Sequence, residues 1–510
     1  MKMKHGMIDI GSNTMRLVIY ENRAGKGFKQ IENLKVVARL RNYLDNDSLL
    51  NEEGIHVLLQ TLQTFQIITR HHELTHVSCV ATATVRQAKN KEYIVQLVKE
   101  NTDFSMKILS EYEEAFYGFF AVINSTSVEE GVTIDIGGGS TEITYFRNRE
   151  LVEYHSFPFG ALSLRLQYVK DNVPTDEERE RIRNFVRSEF QTLSWLHKRC
   201  VPIVAIGGSA RNLVQLHQSF IQYPLAGVHQ YKMSPRDIAQ VKTIIAPYSY
   251  SELQKLEGLS KDRADTIIPA IEVFQGLCEI VNASSFILSR KGLREGVLYK
   301  EAHEQSQGTM YPNVVERSFQ ELVDDFEINL IYVQQVTRTA TMLFQHLRVD
   351  ALPTLTDDDL ELLRKGAQVF HLGEYIDSES SSQHTFYLLA NRTIDGLTHL
   401  ERLKLALVAS YKGKSTFRQY IEPFREWISK EEQRKLLLIG ALLKLATSLN
   451  ATKRNVVTHI EVKITDAMLT FTLVCNGNYK AEEYQAEKQK KHLEKVLKKP
   501  IALNFKYITN

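Results

Sequence analysis

Cysteine is scarce and scattered. Cys79, Cys200, Cys278 and Cys475 are the four in the chain, and no two stand in a Cys-x-x-Cys pair. Neither a disulfide framework nor a thiolate metal centre is expected, and the thiols read as reduced and structural. Glycine (25) and proline (11) are few for 510 residues, which excludes a collagen-like or linker-dominated chain. Long apolar runs are missing too. The best stretch, residues 436–449, is interrupted by Lys444 and falls short of the ~20 residues that span a bilayer. Residues 1–5 run into a predicted strand without signal-peptide anatomy. Charge of one sign is also lacking. A net +2 gives no bulk footprint for nucleic acid, so an anionic ligand must be recognised by local arrangement. What is present is an ordinary globular balance, 43% hydrophobic and 24% charged, enough for roughly three to four domains. The expectation is a cytoplasmic multidomain protein with no membrane or nucleic-acid partner.

An internal repeat organises the first half. Met7-Ile8-Asp9-Ile10-Gly11-Ser12-Asn13-Thr14 precedes the apolar Leu17-Val18-Ile19-Tyr20, and Thr133-Ile134-Asp135-Ile136-Gly137-Gly138-Gly139-Ser140-Thr141 precedes Ile143-Thr144-Tyr145-Phe146. Each reads as a β-branched strand, a tight small-residue turn and a second strand. The shared Ile-Asp-Ile-Gly favours duplication over two unrelated hairpins. A third turn, Ile206-Gly207-Gly208-Ser209-Ala210-Arg211, carries a short strand into a helical pattern, which aims backbone N–H groups at an anion. Helical periods at 52–68 and 177–196 alternate with these strands, predicting an α/β class for about 300 residues. After Tyr311-Pro312 the periods at 314–326, 328–347, 357–370, 398–409 and 430–449 predict a helical domain. Alternating runs near 459–473, a basic helix and a strand at 501–507 predict a small α+β tail.

Three small-residue turns at strand ends suit a phosphate chain clamped between two lobes. Main-chain N–H groups approach the anion, and Ser and Thr hydroxyls add donors. Asp9 and Asp135, beside two of the turns, offer hard oxygen ligands for Mg²⁺. Acids for proton transfer follow. Ser110-Glu111-Tyr112-Glu113-Glu114 opens a predicted helix, where Ser110 and Glu113 also form a capping box, and Glu142 directly follows the Ser140-Thr141 turn. Arg16, Arg86 and Arg211 sit just past turns, where a guanidinium suits phosphate or a surface position equally.

At these residues the chain resembles the exopolyphosphatase / guanosine-pentaphosphate phosphatase family of the actin, Hsp70 and sugar-kinase superfamily. The matching stretches are IDIGSNTMRL (8–17), ATATVRQAKN (81–90), EEAFYG (113–118), IDIGGGSTEI (134–143), FGALSL (159–164), AIGGSARNL (205–213) and KGLREGVLY (291–299). The resemblance implies two actin-like, ribonuclease H-like lobes over 1–124 and 125–307. It implies a helical HD-like domain over 308–450, an α+β domain over 451–510, and a homodimer. It also implies Mg²⁺-dependent hydrolysis of a terminal phosphoanhydride. Carried over by motif, Glu114 is the base for the attacking water, with neighbouring Glu113 open as the alternative. Glu142 is its partner and Asp135 the metal-holding acid, to which Asp9 is added from beside the first turn. Gly11, Ser12, Asn13, Thr14, Arg16, Arg86, Gly137, Gly138, Gly139, Ser140, Thr141, Gly208, Ser209 and Arg211 bind substrate. In the HD-like domain Phe370-His371-Leu372-Gly373 puts Leu where the pattern needs a metal-binding Asp, so no second metal centre is expected. His371 and His384 then read as core or interface residues.

Inorganic polyphosphate and guanosine pentaphosphate both end in a phosphoanhydride, and the motifs do not separate them. The intact acid pair argues against a non-catalytic sensor, and the lack of an acceptor-substrate motif argues against a kinase. Lys480, Lys488, Lys490, Lys491, Lys495, Lys498 and Lys499 crowd the tail, as a track for a long polyanion or as a solvated helix face. The reading favoured is polyphosphate.

Overall fold

The computed structural model describes residues 3–22, 28–305, 313–350, 352 and 354–507. The Tyr311-Pro312 boundary of the expected helical domain lies outside them. Two compact units result, Met1–Tyr223 with Val228–Arg317, and Pro224–Gly227 with Ser318–Asn510.

In the first unit the β-branched runs form strands whose side chains bury on both faces of a sheet. β1 (Met3–Ile10), β2 (Met15–Asn22) and β3 (Phe28–Val36) pair antiparallel, and β4 (Val77–Ala81) and β5 (Met106–Ile108) add in parallel, in the order β3-β2-β1-β4-β5. A second sheet holds β6 (Gly131–Ile136), β7 (Thr141–Arg147), β8 (Glu150–Phe157), β9 (Ile203–Ile206), β10 (Lys232–Met233) and β11 (Phe286–Leu288), ordered β10-β11-β9-β6-β7-β8. Read as β8-β7-β6-β9-β11, it repeats the first sheet strand for strand and sense for sense. The duplication written in Ile-Asp-Ile-Gly is therefore a duplication of topology. Register then pairs Asp9 with Arg16 on one hairpin and Asp135 with Glu142 on the other. The two halves have diverged to a base and an acid at the same position.

Two helices are exchanged between the sheets. The Glu111–Ile123 helix follows β5, started by the expected capping box: Glu113 N donates to Ser110 Oγ at 3.2 Å and Ser110 N to Glu113 Oε2 at 2.9 Å. It buries Phe119, Phe120, Val122 and Ile123 against Phe146, Val204 and Ile206 of the second sheet. Each such side chain contributes roughly 1.5–3 kcal/mol. The Leu293–Gln305 helix follows β11 yet sets Val297 and Leu298 on Met7, Val18, Tyr20 and Val80 of the first sheet. The two helices touch where Gly296 meets the Tyr117 carbonyl with no space for a Cβ.

The second unit contains the helices Leu330–Asp350, Asp357–Gln368, Ser381–Asn391, His399–Ala409, Lys414–Ile421 and Lys430–Ser448. A sheet of β12 (Val457–Ile464), β13 (Leu469–Cys475) and β14 (Ile501–Tyr507) follows. The tail helices Lys480–Gln489 and Lys491–Leu497 bury Ala486 and Leu493 and pack on the Lys430–Ser448 helix, where Lys444 Nζ lies 3.1 Å from His492 Nε2. The tail shares one compact unit with the helices. His371 stacks edge-on to Phe370 with centroids 4.3 Å apart, beside buried Leu372, and His384 is half-buried. No helix among the described residues is long and apolar enough to cross a membrane.

Candidate active site

The three turns meet in one cavity of about 170 Å³ in the first unit. The two hairpin turns close alike: Gly11 N donates to the Thr14 carbonyl at 3.0 Å and Gly137 N to the Ser140 carbonyl at 2.9 Å. Ser12 is fixed from behind by Thr84 Oγ1, 2.8 Å from its Oγ. Gly207 takes φ +87°, and a Cβ there would lie 2.5 Å from Asp135 Oδ1, so the strand-to-helix turn needs glycine to leave the carboxylate its place.

Four carboxylates line the cavity: Asp9, Glu114, Asp135 and Glu142. Glu114 comes from the start of the Glu111–Ile123 helix, the other three from the hairpins. Glu113, the adjacent acid, turns the other way, into the capping box and an ion pair with Lys107 at 2.6 Å. Glu114 accepts a hydrogen bond from Arg86 Nη1 at 2.6 Å. Burial pushes its carboxyl up to about 7 against the pull of Arg86, with Asp135 and Asp9 adding to the rise. Glu142 accepts from Ser156 Oγ at 2.9 Å, and burial together with Glu114 and Asp135 holds it well above the usual glutamate range. Asp135 is pushed up to about 6 by burial and by Asp9. No protein group donates a hydrogen bond to its side chain among the described residues. Asp9 accepts from Arg294 Nη1 at 3.0 Å; burial raises it, and Arg294 opposes the rise. Carboxylates this crowded hold protons unless a cation joins them.

Opposite charge is present as five arginines, Arg16, Arg211, Arg263, Arg290 and Arg294. Burial and the neighbouring Arg16, Arg294 and Arg290 bring Arg211 down to about 10. Five guanidinium groups on one cavity supply the bidentate donors that a chain of phosphates takes up.

Of the residues expected from the sequence, Asp9, Gly11, Ser12, Asn13, Thr14, Arg16, Glu114, Asp135, Gly137, Gly138, Ser140, Glu142, Gly208 and Arg211 line this cavity. Four expected substrate ligands stand behind it. Arg86 spends its guanidinium on Glu114 and the Leu109 carbonyl. Thr141 Oγ1 donates to the Phe159 carbonyl at 2.7 Å, and Ser209 Oγ accepts from Arg263 Nη1 at 3.1 Å. Gly139 is buried against Ser12 and Arg41. Arg263, Arg290 and Arg294 were not anticipated. Arg294 lies in the quoted KGLREGVLY stretch, while Arg263 belongs to a short 3₁₀ turn with no motif around it.

Residues 18–305 match the Ppx/GppA phosphatase family, and residues 314–494 match Ppx/GppA phosphatase, domain III. The chain belongs to the Ppx/GppA phosphatase family. It is a phosphatase, and the two lobes of its first unit have that family's actin-like fold. A guanosine-5'-triphosphate,3'-diphosphate pyrophosphatase of Pseudoalteromonas translucida (strain TAC 125) is 24% identical over 416 residues, 80% of each chain. The crystal structure of the Aquifex aeolicus Ppx/GppA family member is 28% identical with a TM-score of 0.52, covering 59% of this chain and 98% of that one. An exopolyphosphatase from Cytophaga hutchinsonii, 22% identical, shares the fold with a TM-score of 0.54 over 59% and 98%.

Proposed function

We propose that the protein is an exopolyphosphatase, which hydrolyses the terminal phosphoanhydride of inorganic polyphosphate and releases orthophosphate. The observation that carries this reading is the convergence of Glu114, from the start of the exchanged helix, and Glu142, from the second hairpin, on a cavity walled by five arginines. Glu114 accepts the proton of the attacking water, its carboxyl tuned near neutrality as a general base requires. Glu142 orients that water from the second hairpin. Arg86 acts through Glu114 by fixing its carboxylate. The turns at 11–14, 137–140 and 207–208 cradle the phosphates with backbone N–H groups, and the arginines neutralise the anhydride oxygens. Mg²⁺ fits the donor set, because Asp135 offers hard oxygens that no protein hydrogen bond among the described residues occupies, with Asp9 beyond it in its pair with Arg294. Bound there, the ion would polarise the terminal phosphoryl group.

Guanosine pentaphosphate is the second reading, supported by the pyrophosphatase relative at 24% identity. Polyphosphate is favoured because no aromatic side chain lines the cavity among the described residues, so no ring is present there on which a base would stack. A cytoplasmic homodimer acting without nucleic acid or membrane belongs to the same proposal, in keeping with the net charge of +2. Phosphate release with Mg²⁺ tests the reading, comparing long polyphosphate with guanosine pentaphosphate. Faster turnover of the nucleotide at matched concentrations would replace the first reading with the second.

A further inference from the structure

At the end of β1 remote from Asp9, three side chains from different elements converge. His5 of β1, His76 just before β4 and Glu301 of the Leu293–Gln305 helix bring one ligand atom each within 4.8 Å of one another. His5 Nε2 stands 3.3 Å from Glu301 Oε2, and His76 Nε2 stands 3.8 Å from the same oxygen. The imidazoles meet edge to face, centroids 4.5 Å apart. Ser78 Oγ donates to the other carboxylate oxygen at 2.7 Å and lies 3.0 Å from His5 Nε2, steering both groups. Glu301 Oε2 is itself buried and makes no hydrogen bond.

We propose that His5, His76 and Glu301 form a site for a divalent transition metal of the Zn²⁺ class, separate from the cleft, with its fourth position open to solvent. Two imidazoles and one carboxylate are a borderline-soft donor set that favours Zn²⁺ or Co²⁺ over Mg²⁺. Bonds of ~2.0–2.1 Å in a tetrahedron place ligand atoms about 3.3 Å apart. Glu301 already stands near that distance from both imidazoles. The two imidazole nitrogens, within 4.8 Å of each other, need to close by at most about 1.5 Å, which a rotation of exposed His76 can supply. His76 is more than half exposed and gives the ion a way in. The site would staple the exchanged helix to the first sheet. Glu301 lies seven residues, about 10 Å, along that helix from Arg294, the residue that holds Asp9.

Cobalt provides a readout independent of turnover. Untagged full-length protein, stripped with chelator, is titrated with Co²⁺ in excess Mg²⁺ and followed by visible d–d absorption. One equivalent should bind with a tetrahedral spectrum and be displaced by Zn²⁺. His76→Ala and Glu301→Gln should each weaken binding by about tenfold or more, while Cys200→Ser, which removes the exposed thiol, leaves it unchanged. Zn²⁺ should also raise the melting temperature of the wild type and not of His76→Ala. Absence of the spectrum at stoichiometric Co²⁺, its persistence in a His5→Ala/His76→Ala double variant, or its loss in Cys200→Ser would each overturn the proposal.

Discussion

Replacing Asp135 by Asn should make the metal-free protein more stable. A carboxyl held at about 6 instead of its ordinary 3.8 costs the folded state about 3 kcal/mol at neutral pH, at about 1.4 kcal/mol per decade of proton affinity. The sign follows from the protons: between pH 4 and 6 the folded chain binds the proton more tightly than the unfolded chain, so stability falls as pH rises through that window. Asparagine fills the same space without the charge and removes the penalty. At roughly 2 °C per kcal/mol for a unit of this size, Asp135→Asn should melt about 6 °C above wild type at pH 8. The two should coincide near pH 4. Mg²⁺ should nearly close the gap. An ion at a hundred times its Kd adds about 2.7 kcal/mol to the form that binds it, so wild type should gain most of the gap back and the variant little. Calorimetric scans from pH 4 to 8, with and without excess Mg²⁺, measure both effects. A variant destabilised equally at pH 4 and pH 8, or stabilised by Mg²⁺ as much as wild type, would refute the assignment of Asp135 as the open cation ligand.

Other outcomes follow from the same geometry. Glu114→Gln should lower turnover by ~10²–10⁴-fold with substrate binding retained, whereas Glu113→Gln keeps the capping-box acceptor, loses only the exposed ion pair with Lys107, and should leave stability and turnover nearly unchanged; equal losses in both would contradict the division of labour between them. Turnover should rise with pH through about 7 as Glu114 loses its proton, and Arg86→Gln should move that rise to higher pH, because its positive charge now holds the carboxyl down; a pH–rate profile reads the shift. In the tail, Lys480 and Lys490 are paired with Glu483 and Glu487, and Lys499 donates to the Thr465 carbonyl. Charge reversal at exposed Lys491, Lys495 and Lys498 is therefore the sharper test of a polyanion track: it should weaken binding of long polyphosphate at low salt, where screening is least, and spare short chains.

Strands and turns were legible because alternation and small residues act locally. Ile8, Asp9 and Ile10 declare a strand end, and Gly11 to Thr14 declare its turn, whatever surrounds them. The carboxylates were legible for the same reason, each adjoining a turn or opening a helix. The partner of Arg86 was not legible, since a basic residue past a strand looks alike whether or not a glutamate 28 positions on takes its guanidinium. Arg263 reaches the cavity from a turn more than fifty residues past the Gly207 loop, with nothing local to mark it. An amphipathic helix announces that it buries a face but not against which sheet, so the exchange of the two helices lay beyond the pattern in Glu111–Ile123 and Leu293–Gln305.

That exchange has a consequence for synthesis on the ribosome. The first sheet is complete at Ile108, yet the side chains that cover Met7, Val18, Tyr20 and Val80 arrive only with Val297 and Leu298. At the usual ~5–20 residues per second, a face of bare aliphatic and aromatic groups waits roughly ten to forty seconds for its cover. Neither lobe can reach its final state before the other has been made, and a chain stalled between them presents an apolar surface to chaperones and to other nascent chains.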